Sequence, residues 1–306
     1  MSSTFSVPSK WLDMQIMEED TRNTFQAPGA PTAATFVAQT PQISLRDDLN
    51  LALNYVTGTV DTAHVLDTLE TPIITVDIPN LLPTEGIAFL KRGINLEAGA
   101  GTIERLFSAC IRQTLGTGNM HYLKLKGMMI GAGVIGLAGA GNWWARNLQM
   151  LGLFDSFEEV APTNWTFTTP PTTKPLMSND AGASHITVRD VDAGVDYTPS
   201  VLGVSVAWNR NPYPIMETGL NTWADQIPLE RGVQVNYILN RKDHTLFDVL
   251  RLRHEVNSTI IIRASPAITL TVTGGKLSPI TWSGELRRPL QEGLTNVGKS
   301  IALATA

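Results

Sequence analysis

Stretches in which hydrophobic and polar residues alternate are the commonest pattern in this chain. Such alternation predicts β-strands with one buried face. The stretches are residues 55–60, 73–78, 121–126, 184–189, 201–208, 232–239, 259–263 and 268–273. We expect the last strand to end in a hairpin turn at Gly274 and Gly275. The pattern favours a mainly β fold, a β-sandwich or open barrel with one flanking α-helix in each half.

Two short segments instead show helical spacing of apolar residues, at 102–110 and at 245–253. On a helix, residues three and four positions apart lie on the same face, so these apolar residues would pack on the sheet. The predicted helix-core residues are Leu106, Phe107 and Cys110 in the first half, and Leu246, Phe247 and Leu250 in the second.

The order helix, strand, glycines, tryptophan occurs twice along the chain. The matched positions are Leu106 with Leu246, Leu123 with Ile261, and Trp144 with Trp282, separated by 140, 138 and 138 residues. A period of this length makes each copy a domain rather than a solenoid unit. The spacing predicts a tandem duplication. Two unrelated domains that share this order are the alternative.

The expected organisation has five parts. They are an N-terminal arm (1–40), a first β domain (41–161), a Pro/Thr-rich connector (162–183), a second β domain (184–288) and a C-terminal arm (289–306). Within the N-terminal arm, residues 14–19 are compatible with a short helix. The arm has few core-forming residues, so we expect it to order against a partner. Residues 80–101 have no counterpart in the second half and are interpreted as an insertion loop.

Composition narrows the class of protein. Only 17% of the 306 residues are charged, which is low for the surface of a monomer and suits a chain whose surface becomes interface. The net charge of −5 argues against tight nucleic-acid binding. The single cysteine, Cys110, excludes an internal disulfide. With neither a signal peptide nor a membrane span in the sequence, we expect a soluble protein folded in a reducing compartment.

We find no arrangement of residues that predicts catalysis, a cofactor or a metal site. Residues Gly131 to Gly136 satisfy the GxGxxG pattern of dinucleotide-binding loops, but further glycines follow where a regular helix should begin. The five histidines have none of the spacings used for metal ligation. No GxSxG or P-loop sequence is present. The protein is therefore not expected to be an enzyme.

Three segments together resemble the major tail tube proteins of long-tailed bacteriophages, in the form that carries two tandem tube domains. They are the proline- and alanine-bearing lead-in at 17–36, the run 201–210 followed by 218–220, and the ending from 289 onward. The resemblance is one of order and pattern across most of the chain.

The resemblance implies a virion structural protein that stacks as rings into a hollow tail tube for genome delivery. Trimeric rings with pseudo-sixfold symmetry are implied, with hexameric rings as the alternative. The implied partners are further copies of the chain, a tape measure protein in the lumen, tail terminator and distal tail proteins, and DNA in transit, with no membrane. The protein would be made in the host cytoplasm and reside in the virion tail. We expect a polar, acidic lumen with few lysines, so that DNA is not retained.

Two other interpretations remain open at this stage. One is a carbohydrate-binding or hydrolytic β-sandwich that uses exposed tryptophans. Its candidate platform residues are Trp143, Trp144, Trp208, Trp223 and Trp282. The other is a different tail, capsid or baseplate component.

Overall fold

A computed structural model of the chain describes most of the molecule. The described residues are 10–21, 23–26, 35–36, 38, 41–55, 62–95, 106–114, 120–163, 165, 167, 171–182, 185–210, 212–216, 223–228, 232–240, 245–278, 281–283 and 291–306.

The described part of the first half contains seven strands and one helix. They are β1 (Lys10–Glu18), β2 (Thr35–Phe36), β3 (Gln42–Tyr55), β4 (Thr62–Ile78), α1 (Glu85–Ile94), β5 (Phe107–Thr114), β6 (Met120–Ala138) and β7 (Trp144–Glu158). The described part of the second half adds a short 3-10 helix (Ser178–Ala181), β8 (Ile186–Asp190), β9 (Val195–Tyr197), β10 (Val201–Asn209), β11 (Pro212–Met216), β12 (Trp223–Pro228), β13 (Gly232–Asn240), α2 (Thr245–Leu252), β14 (Glu255–Arg263), β15 (Ile268–Leu277), β16 (Thr281–Ser283), β17 (Gln291–Gly298) and β18 (Ser300–Thr305).

The mainly β fold is confirmed. Sixteen strands form one antiparallel sheet, whose main path runs β2-β1-β5-β6-β10-β13-β17-β15-β14-β8-β9. From β6 the sheet also continues through β7 and β4 to β3, while β16 lies on β17 and β18 on β15. Strands β11 and β12 form a separate pair. The sheet is continuous across the two halves because β6 pairs with β10.

Alternation along the strands explains the core. In β14, Val256, Ser258, Ile260 and Ile262 are buried and the residues between them are partly exposed. Residues at every second position of a strand share one face, so a single face of β14 supplies the core. The buried apolar side chains of both halves join in one main cluster.

The predicted helix at 102–110 is wrong in its described part, because residues from Phe107 onward form strand β5. Leu106, Phe107 and Cys110 are nevertheless buried, as are Ala109 and Ile111 next to them. Both faces of β5 are covered, so its apolar run is continuous. A short continuous apolar run does not distinguish a strand from a helix by periodicity alone.

The helix of the first half is α1, within the segment that we interpreted as an insertion loop. The sequence pattern did not predict this helix, because it contains glycines and glycine lowers helix propensity. They serve close packing instead. A Cβ at Gly86 would lie 2.8 Å from Leu81 Cδ1, and one at Gly93 would lie 2.7 Å from Ile130 Cγ2.

Two further predictions are wrong. Residues 14–19 are not helical, since Lys10–Glu18 is a strand that pairs with β5 of the same chain. The turn expected at Gly274 and Gly275 is also absent, because β15 continues through both glycines. The hairpin turn of this region joins β14 to β15 at residues 264–267.

None of the helices in the described part of the chain is long and apolar enough to span a bilayer.

Candidate assembly surface

The two halves have the same strand order. In each, a strand pair is followed by a long hairpin, a helix and a meander, and the strands join in the same sequence. In the first half the pairs are β2-β1, β1-β5, β5-β6, β6-β7, β7-β4 and β4-β3. In the second they are β9-β8, β8-β14, β14-β15, β15-β17, β17-β13 and β13-β10. Helix α1 lies between β4 and β5, and α2 lies between β13 and β14.

Two long strands of the first half correspond to two shorter strands each in the second. The first part of β7 corresponds to β17, because it pairs with β4 as β17 pairs with β13. The last part of β7 corresponds to β18, because it pairs with β6 as β18 pairs with β15. Likewise, β6 corresponds to β15 followed by β16, because β16 pairs with β17. We call the two copies of this arrangement repeat 1 and repeat 2.

The sequence landmarks did not match equivalent elements. Leu106 precedes a strand whereas Leu246 lies in α2, and the pair Leu123 and Ile261 matches β6 with β14. In the strand order, α1 corresponds to α2 and β6 to β15. Because loops and strands differ in length between repeats, no single residue offset relates them. Common ancestry of the halves stays a prediction.

The repeats are joined by a strand pair in which glycines accommodate tryptophans. Residues 132–138 of β6 pair with residues 203–209 of β10. A Cβ at Gly133 would lie 2.7 Å from Trp208 Cζ2, and one at Gly136 would lie 2.5 Å from Trp144 Cζ2. The GxGxxG run is thus the interior of a strand against indole rings, which is not the loop before a helix that a dinucleotide needs.

Helix α1 also contacts repeat 2. The buried Arg210, which follows β10, donates from Nη1 to the carbonyl of Arg92 in the last turn of α1, at 3.2 Å. A cation suits this position because the helix dipole places negative charge at the C-terminus. Asn95 exchanges two hydrogen bonds with the backbone of Leu303 in β18, at 2.8 and 2.7 Å.

Five strands of the large sheet, β2, β3, β9, β16 and β18, have a partner on one side only among the described strands. β3 pairs only with β4, and β16 pairs only with β17. Exposed strand edges expose free backbone donors and acceptors, which favour pairing with another chain. Large apolar side chains are exposed at several places in the described part of the chain, including Val191, Val195, Leu202, Ile238 and Val297. The exposed phenylalanines lie at the end of β7, where Phe154 and Phe157 are near Val160, and on α2, where Phe247 is near Leu252.

The predicted helix-core residues of the second half are only partly buried. Leu246 is buried and Leu250 is half-buried, but Phe247 is 46% exposed, so its predicted burial is wrong within one chain. Val249, which the sequence reasoning missed, is buried in its place. Helical spacing alone did not distinguish Phe247 from Val249, because both flank the same apolar stripe.

Cys110 lies in a second cluster with Met17, Trp165 and Phe167. Burial raises the pKa of its thiol to about 12, so the thiolate is rare at neutral pH. Trp165 and Phe167 belong to the predicted connector, whose described residues therefore pack partly on the first half.

A cavity of about 520 Å³ lies beside β6 and β7. Its charged side chains neutralise one another. Lys124 Nζ lies 2.8 Å from Glu158 Oε1 and 3.4 Å from Asp155 Oδ2, and Lys126 Nζ lies 3.2 Å from Asp155 Oδ1. This arrangement is an ion-pair network, typical of structural surfaces.

Asp190, Asp192 and His254 are close enough for their ligand atoms to lie within 4.8 Å of one another. Hydrogen bonds account for this cluster. His254 Nδ1 lies 2.7 Å from Asp190 Oδ2, and the backbone N–H of Ala193 donates to Asp190 Oδ1 at 2.9 Å. Burial raises the pKa of Asp190, but these hydrogen bonds outweigh it and hold that pKa below its ordinary value. The cluster fastens the β8–β9 turn to the start of β14.

The tryptophans do not form an exposed platform in the described part of the chain. Trp143 and Trp208 are buried at 1% and 2% exposure, and Trp144 is half-buried with Arg146 over its ring. The side chains of Trp223 and Trp282 lie outside the described part. A sugar-binding surface built on Trp143 or Trp208 is therefore excluded.

No protein-family model matches the chain, and no curated protein matches it in sequence.

Proposed function

We propose that the protein is a self-assembling structural subunit, whose copies join into rings that stack into a hollow tube. The observation that carries this proposal is the repeated strand order, with its one internal junction. β6 of repeat 1 pairs with β10 of repeat 2, while the equivalent strands β16 and β3 each have an outer edge that pairs with no described strand. A head-to-tail interface that repeats by rotation forms a ring when the rotation closes.

The long hairpins of the two repeats are suited to line such a ring. They lie within residues 42–78 and 201–240, and neither segment contains a lysine. The described residues of these segments include six acidic residues, Asp47, Asp48, Asp67, Glu70, Asp77 and Asp225, and two arginines, Arg46 and the buried Arg210. A lumen of this composition would repel phosphate, and DNA would pass through it without being held.

The biological role of such a tube is inferred from the sequence resemblance to tail tube proteins. We propose that the protein forms the tail tube of a long-tailed bacteriophage, with a tape measure protein inside and terminator and distal tail proteins at its ends. It would then be made in the host cytoplasm and function in the virion. It would carry out no catalysis and need no cofactor.

Electron microscopy of the purified full chain, with native mass spectrometry of single rings, tests the proposal. We expect rings or tubes. Each ring should contain three chains, whose two repeats per chain occupy the six positions of the pseudo-sixfold ring that the resemblance implies. A ring of six chains would contradict the equivalence of the repeats. A monomer at every concentration and salt condition would contradict self-assembly.

A further inference from the structure

We infer that β3 of one chain pairs antiparallel with β16 of a neighbouring copy, with Leu45 opposite Trp282, and that α2 docks beside the end of the neighbour's β7. This inference rests on the proposed self-assembly and specifies its interface. It follows from superposing the junction inside one chain, β6 with β10, on β16 and β3, the equivalent strands whose outer edges pair with no described strand.

The buried faces of β4 and β13 supply the alignment of the repeats. Each strand is the inner strand of its long hairpin and leads into the helix of its repeat. The buried residues correspond in order as Ile74 with Val235, Val76 with Tyr237, and Ile78 with Leu239.

This alignment fixes the position in β3 that is equivalent to the junction residue of β10. In β10, Val206 pairs with Val235 of β13. In β3, Leu45 pairs with Ile74 of β4. Since Ile74 corresponds to Val235, Leu45 corresponds to Val206.

The residue of β16 that is equivalent to the junction residue of β6 follows from the same alignment. Ile135 of β6 and Ile78 of β4 pair with the same residue of β7, from its two sides. In the same way, Trp282 of β16 and Leu239 of β13 pair with one residue of β17. Trp282 is therefore the equivalent of Ile135. Because Ile135 pairs with Val206 inside the chain, Trp282 is expected to pair with Leu45 of the next chain.

The helices support the same interface independently. Ile87 is the third residue of α1 and Phe247 the third residue of α2. Ile87 is 2% exposed and borders a cavity of about 300 Å³ whose lining also includes Thr305, at the end of β18. Phe247 is 46% exposed. Among the described residues of one chain, no strand of a following repeat lies beside α2 as β18 lies beside α1.

The neighbouring copy would supply that missing cover. The equivalent of β18 is the last part of β7, where Phe154 and Phe157 are 44% and 46% exposed. The exposed phenylalanines of the described chain, Phe154, Phe157 and Phe247, thus lie at the two sites that the internal junction predicts to meet. Burying both removes apolar surface from water, which favours association. Lys91 of α1 and Arg251 of α2 share a helix position, so the polar rim is also similar.

Disulfide trapping tests the register. In the inferred pairing, Ser44 lies opposite Ser283 of the next chain. Directly opposed residues of antiparallel strands have Cα atoms about 4.5–5.5 Å apart, within the range of a disulfide. We expect the Ser44→Cys/Ser283→Cys variant to lose its monomer band after mild oxidation and to form a ladder of covalent multimers that reductant abolishes.

A matched control shifts one cysteine along the same strand face. Gln42 and Ser44 are both exposed and two residues apart on β3. The diagonal separation of about 7–8 Å is too long for a disulfide, so Gln42→Cys/Ser283→Cys should stay monomeric after denaturation. Native Cys110 is buried, and the chain without added cysteines measures any crosslinking through Cys110 itself.

The outcomes separate the pairing from the proposed function. Rings that form normally but crosslink through the Gln42 variant, or through neither, would overturn the pairing and leave self-assembly standing. Covalent dimers from Ser44→Cys alone would overturn it in favour of β3–β3 pairing. Absence of any ring in the parent chain would overturn both.

The helix contact has its own variant. Phe247→Ser should leave the isolated subunit folded and raise the concentration needed for assembly, whereas Phe247→Leu should assemble like the parent chain. Unchanged assembly of Phe247→Ser would overturn the α2 contact.

Discussion

Replacing Gly133 by alanine is expected to destabilise the subunit, although the same change in an unhindered strand is harmless. The added Cβ would lie 2.5 Å from Leu148 Cδ2, 2.7 Å from Trp208 Cζ2 and 2.8 Å from Trp208 Cη2. Ordinary contacts between carbon atoms are about 3.5–4.0 Å, so these neighbours would have to move by roughly 1 Å. Both are buried, with Leu148 at 0% and Trp208 at 2% exposure, and neither can shift into solvent.

Overpacking of this kind costs about 1–3 kcal/mol. Alanine also restricts the unfolded chain, which offsets roughly 0.4–1 kcal/mol of that cost. We therefore expect a net loss of about 0.5–2 kcal/mol in the free energy of unfolding, measured by urea denaturation. The matched control is Gly232→Ala, at the start of β13, where the Cβ would meet no atom within 4 Å. That variant should be neutral or slightly more stable.

A second substitution identifies the cause. Trp208→Phe removes the part of the indole that the new methyl group would strike, so the double variant should lose less stability than the sum of the two single variants. Contacting residues commonly show coupling of about 0.5–3 kcal/mol. The packing argument is refuted if Gly133→Ala and Gly232→Ala unfold alike, or if the two changes at the junction are additive.

Two further predictions concern single side chains. Leu246→Ala should lower the free energy of unfolding of the isolated subunit by about 2–5 kcal/mol, because the side chain is buried. Phe247→Ala should lower it by less, because that side chain is 46% exposed. Equal losses in urea denaturation would contradict the placement of α2. Burial raises the pKa of Glu19 above its ordinary 4.5, although a hydrogen bond from the N–H of Gly127 at 2.6 Å and others oppose the shift. The unfolded chain then loses this proton at lower pH than the folded chain. The free energy of unfolding should therefore fall as the pH rises from 4.5 through the folded pKa. Glu19→Gln should remove this part of the pH dependence. Parallel stability curves for Glu19→Gln and the parent chain, measured across this range, would show that Glu19 does not titrate as described.

Strands with one covered face could be read from the sequence because burial imposes a period of two on them. β14, with its alternation of buried and half-buried residues, is the clearest case. β5 could not be read in this way, since its neighbours cover both faces and remove the period. The location of α2 was predicted, but which of its apolar residues is buried depends on what packs beside the helix. Phe247 shows that this information lies outside the segment itself.

The sequence by itself determined the mainly β class, the positions of most alternating strands, and the low charge that suits a surface covered by other copies. These are local or summed properties, which each residue carries wherever it lies. Tertiary structure alone decided that α1 forms at residues 85–94, where Gly93 lets it approach Ile130 of β6 and Gly86 lets it pack on Leu81. It also decided that the glycines of β6 are spaces for tryptophan rings and that the two halves share one strand order. Strand pairing joins residues far apart along the chain, and its register depends on bulges and loop lengths that no local pattern records.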